Sequence, residues 1–418
     1  MPDAHQHVSS EKVVSSNKQK PETKQGSKEM ILVLNAGSSS IKYALFDASH
    51  RPLPRDAEWH GEVDGIGQKD GPGSYHDALH TIRDRVREHL GDRALSAVAH
   101  RVVHGGNKYF EPTRIDKHVL ADLRSYIPLA PLHQPFALDA IEAFLHSSTE
   151  LPQIACFDTG FHHTMPDVEK MLPLPYDAWE QGLRRFGFHG LSYEYQSIAL
   201  AQRYPAALAR GRVVVAHLGN GASLCGMLDG KSMTTTMGFS ALDGLMMGTR
   251  CGSLDAGALL YLMEVKKLSL EKVGDMLYHE SGLLGVSGIS SDPRVLLEQA
   301  PHTPRAASAL ALYARRFVHE FGACVAALGG IDMLVFTAGI GEHSAAMRER
   351  LCAPLAFMGI ALDATANADN AAGARLISVS HTQDDAQTPS GPRPVAVAVE
   401  PTNEEWIAAS HAQTLLSA

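Results

Sequence analysis

The sequence predicts an α/β fold with mixed sheets, built from two similar halves. Short apolar runs of strand length alternate with amphipathic helical segments, the pattern of strands covered by helices. A tight strand–turn–strand unit occurs twice, about one domain apart. The chain has 418 residues, enough for two or three domains at roughly 100–200 residues each.

The elements follow in order. Residues 1–29 mix Lys, Glu, Gln and Ser without an apolar h-region, so they read as a disordered extension and not as a secretory signal. The folded chain starts near Met30. Ile31–Leu34 is an apolar strand, Asn35-Ala36-Gly37-Ser38-Ser39-Ser40 a turn of small residues, and 41–47 a second, alternating strand, which together make a hairpin. Leu79, Ile82, Val86 and Leu90 recur with helical spacing, as do Val119, Leu120, Leu123, Tyr126 and Ile127. Between them 95–103 reads as a strand ending at His104-Gly105-Gly106. Leu310, Tyr313, Phe317, Phe321 and Leu328 share one face of a long helix over 306–328. A buried strand at 333–337 leads into a Gly339-Ile340-Gly341 turn and another helix. Residues 380–394 are polar and rich in Pro and Gly, a loop before the last strand at 395–399.

Composition narrows the function. The chain is 44% hydrophobic and 20% charged, with 37 Lys and Arg against 46 Asp and Glu, a net charge of −9. An acidic chain argues against nucleic-acid or membrane-surface binding, both of which need clustered positive charge. The five cysteines are scattered and contain no CxxC, which suits a reducing cytoplasm and excludes a disulfide scaffold. The apolar stretch from Phe321 to Gly341 is interrupted by Gly329-Gly330 and Asp332, too broken for a membrane span. His100 and His104 have the spacing of a helical zinc pair, but Val102-Val103 favours strand. There the two imidazoles would lie about 13 Å apart, too far to share one ion.

The repeated unit carries the chemistry. Leu34-Asn35-Ala36-Gly37-Ser38-Ser39 leads into 42–47, and His217-Leu218-Gly219-Asn220-Gly221-Ala222-Ser223 leads into 224–229. In each, glycine lets backbone N–H groups converge on an anion, and Ser or Asn adds side-chain hydrogen bonds. Either alone is an ordinary hairpin turn. Both together, with Gly339-Ile340-Gly341, point to phosphate binding, and Lys42 just past the first turn could neutralise a phosphate.

These blocks resemble the acetate kinase family from Met30 to the C-terminus. The match runs through NAGSSSIKY, HRVVHGG (100–106), PLAPLH (128–133), FDTGFH (157–162), RRFGFHG (184–190) and HLGNGAS (217–223). It continues with GLMMGTRCG (244–252), SGLLGVSGISSD (281–292), TAGIGE (337–342) and PTNEE (401–405), in the family's order. The resemblance implies two ribonuclease-H-like domains of the duplicated actin-like core around a nucleotide cleft. The first would comprise 30–158 with 405–418, the second, nucleotide-binding domain 159–404. It implies a cytoplasmic homodimer that reversibly transfers the ATP γ-phosphoryl group to acetate, giving acetyl phosphate and ADP. Mg²⁺ would be required, with Mn²⁺ as a substitute.

By the same resemblance, Asp158, His189 and Arg250 are the catalytic residues. Arg101 binds the carboxylate, and Val103, Leu132, Phe188 and Ala241 wall the acyl pocket. Asn35 and Glu404 are the magnesium positions, both oxygen donors as a hard cation demands. The nucleotide would be held by Lys42, by His217, Leu218, Gly219, Asn220 and Gly221, by Asp292 and Arg294, and by Gly339, Ile340, Gly341, Glu342 and His343. The residue types suit the reaction, because phosphoryl transfer asks for positive charge and alignment, and Arg is a donor fork matched to carboxylate and phosphate. An ionised carboxylate needs no base at pH 7, so Asp158 is expected to orient cationic groups or the magnesium shell. His189, in Phe188-His189-Gly190, reads as part of a small mobile loop.

Four positions depart from the family pattern. Gln134 follows the PLH block in place of Asn, Leu191 and Tyr193 alter GTSH, His343 replaces the Asn after GIGE, and Ala241 replaces a Pro of the acyl wall. A propionate kinase and a nucleotide-switched actin-like binding protein remain as alternatives.

Overall fold

The computed structural model describes residues 29–418 other than 38, 132, 148–149, 370–372, 380–392 and 418. The expected extension at 1–28, most of the 380–394 loop and Leu132 therefore lie outside the described residues. Glu29 belongs to the first strand rather than to the extension, since its carbonyl accepts from Ala48 N at 2.8 Å.

Two six-stranded sheets share one topology. The first comprises β1 (Glu29–Ala36), β2 (Ser40–Asp47), β3 (Trp59–Asp64), β4 (Ala94–Val102), β5 (Thr113–Arg114) and β6 (Gln153–Phe157), in the order β3-β2-β1-β4-β6-β5. The second comprises β7 (Arg212–Leu218), β8 (Ala222–Leu228), β9 (Lys231–Thr235), β10 (Met333–Thr337), β11 (Arg375–Leu376) and β12 (Ala396–Val399), in the order β9-β8-β7-β10-β12-β11 when read in the same sense. In each sheet a three-strand antiparallel meander is continued by two parallel strands and closed by an antiparallel edge. The third strand of each meander escapes notice in the sequence because β3 is polar, burying only Val63 of Trp59–Asp64.

Helices cover the sheets with the faces that periodicity indicates. Tyr75–Leu90 buries Ala78, Leu79, Ile82, Val86 and Leu90 against the first sheet, and Pro304–Leu328 buries Leu310, Tyr313, Phe317 and Phe321 against the second. Helix Gly190–Arg203 serves both halves. Leu191, Tyr195 and Ala199 join the first sheet and the C-terminal helix Glu404–Ser417, while Tyr193 and Leu200 join β7, β8 and β10. The glycine-rich 338–343 segment is not a turn. A helix, Ala338–His343, starts directly after β10, with Ala338 at φ 64° absorbing the change of direction. This arrangement directs the C-terminal ends of the parallel strands of both sheets toward one region, the usual place for ligands in α/β folds.

Candidate active site

Arg101 is the hub of the first half. It lies on β4, flanked by β1 and β6, which bring Asn35 and Asp158 to its side. Its Nε donates to Asp158 Oδ1 at 2.9 Å and its terminal nitrogen to Oδ2 at 2.5 Å, a two-pronged pair, while a second terminal nitrogen donates to Asn35 Oδ1 at 3.0 Å. Glu404, opening the C-terminal helix, places Oε2 3.8 Å from Arg101 Nε. Burial opposes the charge on Arg101, but Asp158 and Glu404 outweigh it and raise the pKa of the guanidinium. Burial, with Asp158 and Glu405 nearby, pushes the Glu404 carboxyl upward against the pull of Arg101. Three carboxyl groups thus gather about Arg101, with Lys42 a second cation acting on Glu404.

Arg250 has the opposite surroundings. It sits in the 248–252 turn and donates to the carbonyl of Ala241 at 3.1 Å, with Met247 Sδ at 3.7 Å. Among the described residues no carboxylate lies within ion-pair distance of it. Burial lowers its pKa, and Arg101 contributes in the same sense. A half-buried guanidinium without a counter-charge is a site for an anion. Ala241 packs against the large apolar cluster to which Val103, Phe188, Met246 and Met247 belong.

His189 stands where the short 187–189 segment enters a helix. It caps helix Gly190–Arg203 in a left-handed conformation, φ 58°, and its ring stacks on His217 with centroids 4.1 Å apart and planes 16° apart. Gly190 makes this approach feasible: its N–H donates to the Asp158 carbonyl at 2.8 Å, and a Cβ there would stand 2.2 Å from that oxygen. His189 Nδ1 lies 2.8 Å from Ser223 Oγ, and His217 Nδ1 lies 2.9 Å from Ser192 Oγ. Burial lowers both imidazoles, His189 well below its ordinary value and His217 to about 3, so both are neutral.

A cavity of about 470 Å³ next to these groups collects Gly219, Asn220, Asp292, Arg294, Gly339, Ile340 and His343, with Gly248 and Ser291. The other expected nucleotide residues are distributed differently. Leu218 is wholly buried in the core, and Gly221 lies against His189 and Arg250. Asp292 and Arg294 pair with each other, Arg294 Nε donating at 3.1 and 3.0 Å to the two carboxylate oxygens. Glu342 Oε1 accepts from the N–H of Ala338 at 2.7 Å and of Thr402 at 3.3 Å, so it fastens the helix start to the C-terminal strand's exit. Arg348, wholly buried, holds the other end of that helix through the carbonyls of Gly341 and Glu342, both at 2.9 Å. Lys42 lies apart from this cavity. It stands opposite Asn35 on β2, and lines a separate 510 Å³ hollow with Asn403 and Glu405.

Several contributors escape sequence reasoning. His133, which ends the PLAPLH block, is held at about 4 by burial and by the charges of Arg250 and Arg101, and so faces both arginines. Ser223 and Tyr193 stand behind His189, with Tyr193 Oη 2.5 Å from Ser223 Oγ. Only the polar ends of the blocks PLAPLH and HLGNGAS hint at His133 and Ser223. Gln134 is structural, its side-chain amide donating to the carbonyls of His104 at 3.0 Å and Leu123 at 3.3 Å. His100 lies 2.6 Å from Gln153, and His104, beyond the end of β4, stacks edge-on against Phe186.

The twin sheets, the glycine-lined cavity and the unmatched arginine between them define a phosphotransferase with a duplicated actin-like core. A model of the acetokinase family matches residues 30–410. The acetate kinase of Rhodopseudomonas palustris (strain CGA009) is 46% identical over 92% of this chain and 97% of its own length, and that of Rickettsia akari is 40% identical over 91% and 98%. The crystal structure of Porphyromonas gingivalis acetate kinase superposes with TM-score 0.80 at 35% identity, covering 93% of this chain and all of that one. A propionate kinase from Francisella tularensis superposes with TM-score 0.82 at 32% identity, over 92% and 98%. The chain belongs to the acetokinase family, and it is a kinase that phosphorylates a carboxylate.

Proposed function

We propose that the protein catalyses reversible, Mg²⁺-dependent transfer of the ATP γ-phosphoryl group to acetate, forming acetyl phosphate and ADP. The single observation that carries this is Arg250, a half-buried cation with no carboxylate partner among the described residues, bonded to the Ala241 carbonyl and bordering Gly221 and His189 beside the glycine-lined cavity. A carboxylate oxygen attacks the γ-phosphorus as the bond to ADP breaks. No proton needs removing, since the acid is ionised at neutral pH. Arg101 orients the carboxylate and is itself held in place by Asp158. Arg250 and His189 meet the charge that develops on the phosphoryl oxygens.

Asn35 and Glu404 fit a magnesium site because they present hard oxygen donors side by side at Arg101, and a cation there would offset the burial that pushes the Glu404 carboxyl upward. Such an ion would be held by one or two protein oxygens together with water and phosphate. Mg²⁺ supplies charge neutralisation and alignment of the phosphates. The nucleotide would occupy the 470 Å³ cavity. Two domains divided near 158/159 and 404/405, a homodimer and a cytoplasmic location belong to the same proposal. No described helix is long and apolar enough to cross a membrane.

Trapping acyl phosphate with hydroxylamine tests the activity. Product with acetate, ATP and Mg²⁺ is expected; nucleotide binding without product from any short carboxylate would overturn it in favour of a switch protein. A propionate specificity constant above that for acetate would reassign the substrate.

A further inference from the structure

We propose that Tyr193, acting through Ser223, holds His189 as the tautomer that presents Nε2–H to the phosphoryl group in flight. This rests on the phosphoryl transfer proposed above. Tyr193 is one of the positions at which the chain departs from the family pattern.

The three groups form a closed chain of hydrogen bonds. Tyr193 Oη is 2.5 Å from Ser223 Oγ, which is 2.8 Å from His189 Nδ1. Tyr193 and Ser223 are wholly buried. Local structure sets the geometry: His189 caps the 190–203 helix and Tyr193 follows four residues later, on the same face. Ser223 starts along β8, directly opposite His217 on β7. The stack on His217 fixes the plane of the His189 ring.

A serine hydroxyl has one proton and can accept twice. Were Tyr193 and His189 Nδ1–H both to donate to Ser223, the serine proton would be stranded, since Ser223 Oγ has no other partner among the described residues. That leaves two polarities. In one, Tyr193 donates to Ser223, and Ser223 donates to His189 Nδ1. Every proton then has an acceptor. In the other, His189 Nδ1–H donates to Ser223 and Ser223 to Tyr193, which strands the phenolic proton in a buried site, because Ser223 is the only hydrogen-bond partner of that hydroxyl among the described residues. A buried donor without an acceptor is costly, so the first polarity prevails. Burial also raises the Tyr193 pKa, so the phenol keeps its proton. With Nδ1 accepting, the proton of the neutral ring sits on Nε2.

Nε2 faces the space where charge would develop. A Cβ built on Gly221 would lie 3.1 Å from His189 Nε2 and 3.6 Å from a terminal nitrogen of Arg250, so both donors border one opening. Tyr193 touches no substrate; it is a positioning residue. Because His189 stays neutral, a tautomer lost by mutation is not recovered by protonating the ring twice.

The test is ¹⁵N NMR of the full chain labelled at histidine, with His189 assigned by its absence in His189→Gln. The wild-type spectrum should show an unprotonated Nδ1 and a protonated Nε2. In Tyr193→Phe the two shifts should move toward each other, and kcat should fall about tenfold with both KM values within about twofold of wild type. Ser223→Ala removes the same relay from its other end, and should do likewise if the phenylalanine variant does not fold. A protonated Nδ1 in the wild type overturns the proposal without any variant. So does a Tyr193→Phe protein with unchanged shifts and kcat, whether or not its melting temperature falls, since that would mark a packing role. Absence of acyl phosphate from the wild-type enzyme would refute the proposed reaction, while the spectrum would still decide the tautomer.

Discussion

Arg101 and Arg250 are the same residue type in one cleft, yet replacing them should have different consequences. Arg101 pairs with Asp158 and lies beside Glu404, whereas Arg250 has no carboxylate partner among the described residues. Both Arg→Ala variants should lose several orders of magnitude in catalytic efficiency, in the range of removed arginine fingers, about 3–5 kcal/mol. Arg101→Ala should in addition destabilise the fold by about 3 kcal/mol, because it abandons buried carboxylates. Arg250→Ala should melt at or above the wild-type temperature. Thermal denaturation beside steady-state kinetics separates the two, and equal melting temperatures for both variants would contradict this contrast. Ala241 sets the acyl pocket at the same scale. It packs against the apolar cluster that includes Val103 and Phe188, and among the described residues its N–H has no backbone partner, so proline can enter without breaking a hydrogen bond. Refilling the wall should cost propionate about 1–3 kcal/mol relative to acetate, seen mainly in its KM. An unchanged propionate-to-acetate ratio in Ala241→Pro would remove this residue from the pocket wall.

Among the described helices of eight residues or more, Ala256–Glu264 alone buries none of its residues. Leu260 is 59% exposed and Tyr261 51%, with Val265 and Leu270 exposed beside them. Water-facing apolar area of this kind suits a protein interface, and the proposed homodimer provides one. Leu260→Glu should therefore sediment as a monomer where the wild type sediments as a dimer; a dimeric variant would place the interface elsewhere. The long helices and both hairpins were legible because period 3.6 and period 2 survive in their apolar residues, as Leu310, Tyr313, Phe317 and Phe321 illustrate. The helical character of 338–343 was not legible. Its glycines suggest a turn, and what holds it helical is remote: Glu342 tied to Thr402, and Arg348 tied to the carbonyls of Gly341 and Glu342.

At the scale of the whole molecule, folding buries a set of neutral histidines, and this makes stability depend on pH. Burial holds His100, His104 and His162 at about 4 and His217 at about 3, and lowers His189 well below its ordinary value. Each is therefore neutral in the folded state at pH values where the unfolded chain would protonate it. Their full contribution is present above the unfolded value of 6.5 and is lost as pH falls below it, at about 1.4 kcal/mol per pH unit for each ring. Several rings together should bring cooperative unfolding between about pH 4.5 and 6. His411 runs the other way. Burial opposes its charge, but Cys156 and Glu194 raise it to about 10, so its contribution is complete below 6.5 and fades as pH climbs toward 10. Equilibrium denaturation across pH 4–8 measures the acid limb, and a flat stability profile from 7 to 5 would be incompatible with these buried rings.

The sequence by itself determined the α/β class, the duplication and the block order that marks the family, because each is written in residues close together in the chain. Hydrophobic period, glycine turns and motif order need no folded partner to be read. What only the tertiary structure decided is which charges meet. Asn35, Arg101, Asp158 and Glu404 are far apart in sequence, and they converge because β1, β4 and β6 are neighbours and the C-terminal helix returns to pack on them. Whether an arginine is satisfied or waits for an anion, and which nitrogen of His189 holds the proton, depends on those meetings. Hydrogen bonds need contact within about 3 Å, and charges act over about 10 Å before salt screens them, so both are set by the three-dimensional neighbours of a residue and not by its neighbours in the chain.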